Sequence, residues 1–182
     1  MDELIDILNA EGKPLGTSAM KSVAHREGLF HATVHIWFYT KDGELLLQKR
    51  SATKDIHPGL WDVSVAGHIG AGESIIDAAI REVHEEIGLV IIGKELNKVG
   101  VFKSIQKHCE QLIDCEYHHT FLSELKVSLK HLTKQESEVD DLKLISPVQF
   151  TMELNDKKLA KQYVPHSKEY YTEILKKVKQ LV

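Results

Sequence analysis

The sequence predicts an α/β domain, because segments with strand alternation and segments with helical periodicity follow one another along 182 residues. Hydrophobic residues make up 42% of the chain and charged residues 27%, a balance typical of globular proteins. Repeats, low-complexity tracts and Pro/Gly/Ser-rich linkers do not interrupt it. We therefore expect residues 1–182 to form a single domain.

The first half of the chain predicts mainly strands. Residues 31–39 alternate, with Ala32, Val34, Ile36 and Phe38 on one face, as the two-residue period of a strand requires. An exposed face carrying Trp37 and Tyr39 would offer a surface for a homodimer. The other elements expected here are a strand at 4–8, a hairpin turn at 11–14, a brief helix near 19–25, and a strand at 44–50 after an Asp42-Gly43 turn.

The second half predicts three more strands and a terminal helix. The strands are expected at 99–106, 115–126 and 142–146. In residues 167–181, apolar side chains recur every three or four positions and lysines fill much of the opposite face. This pattern is typical of a helix that packs on the core, with a partner-binding helix as the less favoured alternative.

Residues 67–89 combine a glycine-rich loop with a capped helix. Ser74 suits the N-cap with Asp77 three residues later, and Gly88 suits a left-handed helix end. Within the helix, Glu82, Glu85 and Glu86 stand at i, i+3 and i+4, so their like charges crowd one side. The three acids alone fit an exposed glutamate-rich face, but they also fit a site for Mg²⁺ or Mn²⁺.

The same segment resembles the Nudix box, Gly-x5-Glu-x7-Arg-Glu-(aliphatic)-x-Glu-Glu-x-Gly-(aliphatic), at every fixed position over 23 residues. The resemblance implies a Nudix fold, a mixed β-sheet in an α/β/α sandwich. We expect its core at about 28–155, with the N-terminal hairpin and the C-terminal helix packed on it. By the same resemblance, the metal ligands are the Gly67 carbonyl and the carboxylates of Glu82, Glu85 and Glu86, and Glu73 with Arg81 forms a structural brace.

The resemblance implies a Mg²⁺-dependent pyrophosphohydrolase that cleaves a diphosphate linkage in a nucleoside diphosphate derivative or a related diphosphate. A divalent cation bridging phosphate oxygens neutralises their charge and makes hydroxide available near neutral pH. Arg50 and Lys54 are candidates for substrate binding, since a diphosphate needs basic partners for its metal-free oxygens.

Features outside the box resemble isopentenyl-diphosphate isomerases, a branch of the same superfamily. The resemblance makes His25, His31 and His68 candidate metal ligands, together with Asp114 and Glu116. Glu116 is also a candidate catalytic base. The isomerases carry a catalytic cysteine just before the box glycine, whereas this chain has Ala66 there. Hydrolysis is therefore favoured over isomerisation. A non-catalytic nucleotide-sensing module is a third alternative, although all box carboxylates are present.

The charge balance limits the partners. With 23 basic and 27 acidic residues the formal net charge is −4, which disfavours a duplex nucleic-acid binder. The longest apolar runs are far shorter than a membrane span, and the acidic N-terminus does not resemble an export signal. Two cysteines are too few for a disulfide framework. These features predict a cytoplasmic enzyme with a small-molecule diphosphate substrate and no membrane partner.

Overall fold

A mixed sheet forms the centre of the computed structural model, which describes residues 2–182. The strands are β1 (Leu4–Leu8), β2 (Pro14–Met20), β3 (Phe30–Tyr39), β4 (Leu45–Arg50), β5 (Trp61–Asp62), β6 (Val65–His68), β7 (Asn97–Cys109), β8 (Leu112–Glu124) and β9 (Val139–Ile145). The helices are α1 (Lys21–Glu27), α2 (Ile75–Ile87), α3 (Pro147–Asn155) and α4 (Lys168–Leu181).

Strand β3 has neighbours on both of its edges. It runs parallel to β8, pairing His31 with Glu116 at one end and Tyr39 with Glu124 at the other. Antiparallel partners meet β3 in turn: β1 near its start, β6 in its middle and β4 at its end. The β7–β8 hairpin and β9 extend the sheet further, and the combination of parallel and antiparallel pairs confirms the predicted mixed sheet.

The alternation of β3 divides the core into two layers. Val34, Ile36 and Phe38 pack in a cluster with the apolar face of α2. On the opposite face, Trp37 and Tyr39 pack with side chains of α3 and α4. Helices therefore cover both faces of the sheet, which confirms the expected α/β/α sandwich.

The proposed dimer surface is wrong, because the Trp37 and Tyr39 side chains are not exposed. Trp37 is 0% and Tyr39 8% accessible to solvent, since α4 lies over them. The indole of Trp37 donates a hydrogen bond to the Tyr170 hydroxyl of α4 at 2.8 Å. The alternating pattern correctly predicted two different faces of β3, but both faces are buried in the core.

The N-terminal hairpin is attached to the glycine-rich loop that precedes α2. The Ala71 amide donates to the Leu4 carbonyl at 2.8 Å, and the Gly72 amide donates to the Asp6 carboxylate at 2.8 Å. Ile5 and Gly70 form an additional β-bridge. None of the helices in the described chain combines the length and apolar composition that a membrane span requires.

Candidate functional site

A polar cleft gathers most of the residues singled out in the sequence. The predicted site residues that line it are His25, Arg50, Lys54, Gly67, His68, Glu82, Glu85, Glu86, Asp114 and Glu116. Of the other three, Arg81 contacts the lining residue Glu82 and His31 contacts Glu116, while Glu73 is connected to the cleft through Arg81. Residues from distant parts of the chain thus meet at one place.

Helix α2 presents the box carboxylates to this cleft. Its N-terminus is capped by the Ser74 hydroxyl, which accepts a hydrogen bond from the Asp77 amide, and Gly88 ends it in the left-handed conformation. Burial of the apolar stripe fixes the rotation of the helix about its axis. As a result Glu82 and Glu86 are buried at the sheet side, while Glu85 is exposed.

Arg81 connects the glycine-rich loop to the helix. Its guanidinium makes two hydrogen bonds to the Glu73 carboxylate, both of 2.9 Å, and donates a third to the His68 carbonyl at 3.0 Å. Another guanidinium nitrogen lies 2.7 Å from Glu82 and 3.1 Å from Glu85. Such a bidentate pair fixes orientation as well as distance, so Arg81 sets the position of the loop relative to the carboxylates.

Glu86 occupies a buried position with few neutralising partners. Its carboxylate accepts hydrogen bonds from the Gln48 side chain at 2.8 Å and from the Ala66 amide at 3.3 Å. Burial and the nearby Glu82 charge raise the pKa of Glu86 to about 8. Burial likewise raises the pKa of Glu82. Carboxylates destabilised in their charged form in this way fit a divalent cation, which would compensate both charges.

Gly67 allows the backbone of β6 to approach Glu82 closely. A Cβ atom at this position would lie 2.0 Å from the Glu82 Cδ, so no side chain is compatible with the observed arrangement. The box carboxylates provide hard oxygen donors beside the Gly67 backbone, the ligand type that Mg²⁺ prefers. This donor set fits the metal implied by the sequence.

A second group of potential ligands lies beside the first. The ligand atoms of His25, His31, His68 and Glu116 all fall within 4.8 Å of one another. His31 Nε2 is fully buried and lies 3.4 Å from a Glu116 oxygen, but it makes no well-aligned hydrogen bond. A buried nitrogen that faces other potential ligands in this way is expected where a cation completes the site. Asp114 lies at the margin, with an oxygen 3.8 Å from His25.

Arg50 and Lys54, the two basic residues predicted to bind substrate, already have protein partners. Arg50 donates to Asp62 at 3.2 Å and to the Ile56 carbonyl at 3.1 Å, and Lys54 contacts the carboxylate of Glu138. These contacts hold the two basic side chains in the wall of the cleft. Several N–H groups of each side chain remain for a phosphate oxygen.

Several residues in or beside the cleft were not identified from the sequence. Gln48 binds Glu86, Asp62 pairs with His166 at 2.8 Å, and His118 lies on β8 two residues after Glu116. The two-residue spacing places His118 on the same strand face as Glu116, a signal available in the sequence. His166 comes from the segment after α3, and no local pattern connects it to Asp62.

Comparison with known proteins identifies the family. The NUDIX domain model matches residues 29–167. An uncharacterized Nudix hydrolase of Clostridium acetobutylicum is 37% identical over 141 residues, covering 76% of this chain and 67% of that protein. Nudix hydrolase 3 of Arabidopsis thaliana is 32% identical over 169 residues, covering 91% of this chain but only 22% of the plant protein.

A named isomerase and a solved structure complete the comparison. Isopentenyl-diphosphate Delta-isomerase 2 of Photorhabdus laumondii is 38% identical over 122 residues, covering 67% of each chain. The crystal structure of DR0079 from Deinococcus radiodurans has a TM-score of 0.69 at 16% identity, covers 98% of both chains and supports the fold. With the box intact and the domain matched over most of its length, the chain belongs to the Nudix hydrolase family.

Proposed function

We propose that the protein is a Mg²⁺-dependent pyrophosphohydrolase that cleaves a diphosphate linkage in a nucleoside diphosphate derivative or a related small-molecule diphosphate. The observation that carries this proposal is the buried pair Glu82 and Glu86 beside the Gly67 backbone, with positively charged Arg50 and Lys54 in the same cleft. These residues place oxygen donors for a cation next to donors for phosphate oxygens.

Each group has a distinct role in this proposal. Gly67, Glu82, Glu85 and Glu86 hold Mg²⁺, for which Mn²⁺ can substitute, while Arg81 and Glu73 keep the loop and helix in register. A bound cation supplies charge neutralisation and polarisation of the phosphate oxygens. Arg50 and Lys54 orient the diphosphate. The group that removes a proton from the attacking water is one of the carboxylates Glu82, Glu85, Glu86 and Glu116.

The histidine cluster has its own place in the proposal. His25, His31 and His68 supply neutral nitrogen donors, and Glu116 supplies a carboxylate oxygen. Such mixed nitrogen and oxygen donors suit a transition metal better than Mg²⁺. We therefore assign this cluster to a second divalent cation.

The test is substitution of Glu86 by glutamine, which preserves size and removes the charge. We expect Glu86→Gln to lose Mg²⁺-dependent hydrolysis of a diphosphate panel and to weaken Mg²⁺ binding, with unchanged circular dichroism. Glu11→Gln, at an exposed turn, is the matched control and is expected to behave as wild type. Full activity of Glu86→Gln would remove the box from the mechanism.

Isomerisation of isopentenyl diphosphate is the second candidate, favoured by the histidine cluster and the similarity to a named isomerase. Ala66 argues against it, because a methyl group cannot exchange a proton with an allylic carbon. Incubation of the protein with isopentenyl diphosphate, followed by NMR, distinguishes the two reactions. Formation of the dimethylallyl isomer would favour this second candidate, and release of phosphate would favour hydrolysis.

A further inference from the structure

Asp62 lies in the wall of the cleft between two hydrogen-bond donors, Arg50 and His166. All three residues line the cleft, and the Asp62 side chain is 4% exposed. One Asp62 oxygen accepts a hydrogen bond from the Arg50 guanidinium at 3.2 Å, and the other lies 2.8 Å from His166 Nε2. A carboxylate can only accept hydrogen bonds, so Nε2 of His166 carries a proton and donates it to this contact.

The Arg50 guanidinium is held through two of its three nitrogens. Nε donates to the Ile56 carbonyl at 3.1 Å, and Nη1 donates to Asp62. Because the group is rigid and planar, contacts on two different nitrogens fix its orientation as well as its position. Three of its five N–H groups are left, one on Nη1 and two on Nη2. Arg50 lines the cleft with a side chain that is 18% exposed, so a phosphate oxygen can approach it.

His166 restricts the Asp62 carboxylate in turn. Oδ1 of Asp62 accepts from the Val63 amide at 2.8 Å as well as from His166, so Oδ2 is the oxygen that faces Arg50. Rotation of the carboxyl group about its Cβ–Cγ bond would break all three contacts. Without the imidazole donor, only the Val63 amide and the Arg50 guanidinium would oppose that rotation.

The segment that carries His166 is fixed by the surrounding fold. The Val164 amide donates to the Trp61 carbonyl of β5 at 2.9 Å, and the Tyr171 hydroxyl of α4 donates to the Val164 carbonyl at 2.6 Å. Ser167 then caps α4. His166 therefore connects the terminal helix to the wall of the cleft.

We propose that Asp62 and His166 are positioning residues, which hold the Arg50 guanidinium in the orientation that receives an oxygen of the diphosphate. Buried ion pairs contribute little to stability compared with apolar side chains of similar volume, which favours a role in orientation. The inference rests on the proposed function, because that function brings the diphosphate to Arg50. Asp62 and His166 act on the substrate through Arg50 and do not contact it themselves.

The test is a double-mutant cycle. Isothermal titration calorimetry in excess Mg²⁺ measures binding of methylenediphosphonate, a diphosphate mimic that water does not cleave. We expect Arg50→Gln to weaken binding about 30-fold, and His166→Leu about fivefold because the Ile56 contact of Arg50 remains. In the Arg50→Gln background, His166→Leu should have no further effect, because its influence passes through Arg50.

Conservative variants distinguish positioning from a purely structural role. His166→Gln supplies an amide N–H in place of the imidazole donor and should restore near wild-type affinity, a rescue that packing alone does not predict. Asp62→Asn is an independent variant that removes the charged acceptor. It should weaken binding at least as much as His166→Leu and, again, have no further effect beside Arg50→Gln.

The control is His131→Leu, at an exposed position that contacts Ser128 outside the cleft. It should bind methylenediphosphonate as the wild-type protein does. The melting temperature of each variant verifies that it is folded under the conditions of the titration.

The outcomes separate this inference from the proposed function. An equal loss from His166→Leu with and without Arg50→Gln, unchanged binding by His166→Leu, no rescue by His166→Gln, or no binding by the wild-type protein would overturn the positioning role. Hydrolysis of the diphosphate panel is measured separately. If the cycle behaves as expected but the wild-type protein hydrolyses no diphosphate, the positioning role is supported and the proposed hydrolysis fails. Hydrolysis without coupling between His166 and Arg50 has the opposite meaning.

Discussion

Glu86 shows how a single residue prepares the site for a cation. The carboxyl is buried between Gln48 and the Ala66 amide, and Glu82 adds a like charge nearby. Since its pKa is raised from 4.5 to about 8, the metal-free protein holds a proton there at pH 7. A cation must displace that proton, so we expect Mg²⁺ affinity to increase with pH up to about 8.

The same shift predicts how the metal-free protein responds to pH. A carboxyl with a raised folded-state pKa stabilises the fold at low pH, and this contribution is lost as pH rises from 4.5 toward 8. Burial lowers the pKa of His31, but the Glu116 carboxylate outweighs burial, so the net pKa is raised. His31 therefore also stabilises the fold less as the pH rises above 6.5. The cleft histidines with lowered pKa values, such as His118, change the stability only below pH 6.5, where the unfolded chain binds their protons more readily than the folded protein does.

Between pH 7 and pH 9, therefore, the melting temperature of the metal-free protein should fall. The expected loss of stability is on the order of 1 kcal/mol, or about 2–4 °C. Differential scanning calorimetry in EDTA measures it, and Glu86→Gln should flatten the profile. A melting temperature that rises over this range would contradict the assignment.

At this scale the sequence was informative about residue types and not about their environments. The spacing of Glu82, Glu85 and Glu86 predicted a shared side of one helix, and the structure places them there. That two of the three are buried depends on how α2 packs on the sheet.

Among the elements, β6 and α2 depend on each other most closely. Since a Cβ at position 67 would overlap the Glu82 carboxylate, Gly67→Ala must displace Glu82 or separate the strand from the helix. We expect about a 100-fold loss of Mg²⁺-dependent turnover, since displacements of about 1 Å at an active site have effects of this size. A phosphate-release assay measures it, coupled to a phosphatase because cleavage of a diphosphate derivative yields phosphate monoesters.

Gly100→Ala is the matched control for this substitution. Its Cβ would meet Phe102 at 3.5 Å, an ordinary contact, and its backbone does not need the left-handed region. Wild-type turnover is expected. A fully active Gly67→Ala enzyme would show that close approach of the β6 backbone to Glu82 is unnecessary.

The ends of α2 were predictable because local capping residues determine them. Ser74 and Gly88 bound α2, as the sequence indicated, and Ser167, where the terminal helix was expected to begin, caps α4. Helix α3 was not predicted, although Ser146 and Pro147 form a suitable start. Its apolar periodicity is weak, since Phe150 is its only buried residue and Val148 and Met152 are exposed.

For the whole molecule, α4 is the component that closes one face of the sheet. Ile174 is fully buried in the cluster that contains Trp37. Ile174→Ala should therefore reduce the free energy of unfolding by about 2–5 kcal/mol, while kcat of the folded fraction stays unchanged. Leu181→Ala, at a position 46% exposed, should change stability by less than about 0.5 kcal/mol. Urea denaturation compares the two, and equal effects would contradict the packing role.

The layered architecture was expected from the resemblance of the box, because periodicity alone does not arrange elements in space. Parallel pairing of β3 with β8 brings His31 next to Glu116 across 85 positions of sequence. Only the known fold could suggest that contact. We propose that residues 2–182 act as one unit, because the N-terminal hairpin and α4 both pack on the central sheet.

Strand β1 supports the glycine-rich loop, although it lies outside the residues that the NUDIX domain model matches. The match to the NUDIX domain model starts at residue 29, yet the Leu4 carbonyl and the Asp6 carboxylate hold the amides of Ala71 and Gly72. A fragment trimmed to the matched segment would lose these supports immediately before the helix that presents the glutamates. The boundary of the matched domain model is therefore not the boundary of the framework that supports the box helix.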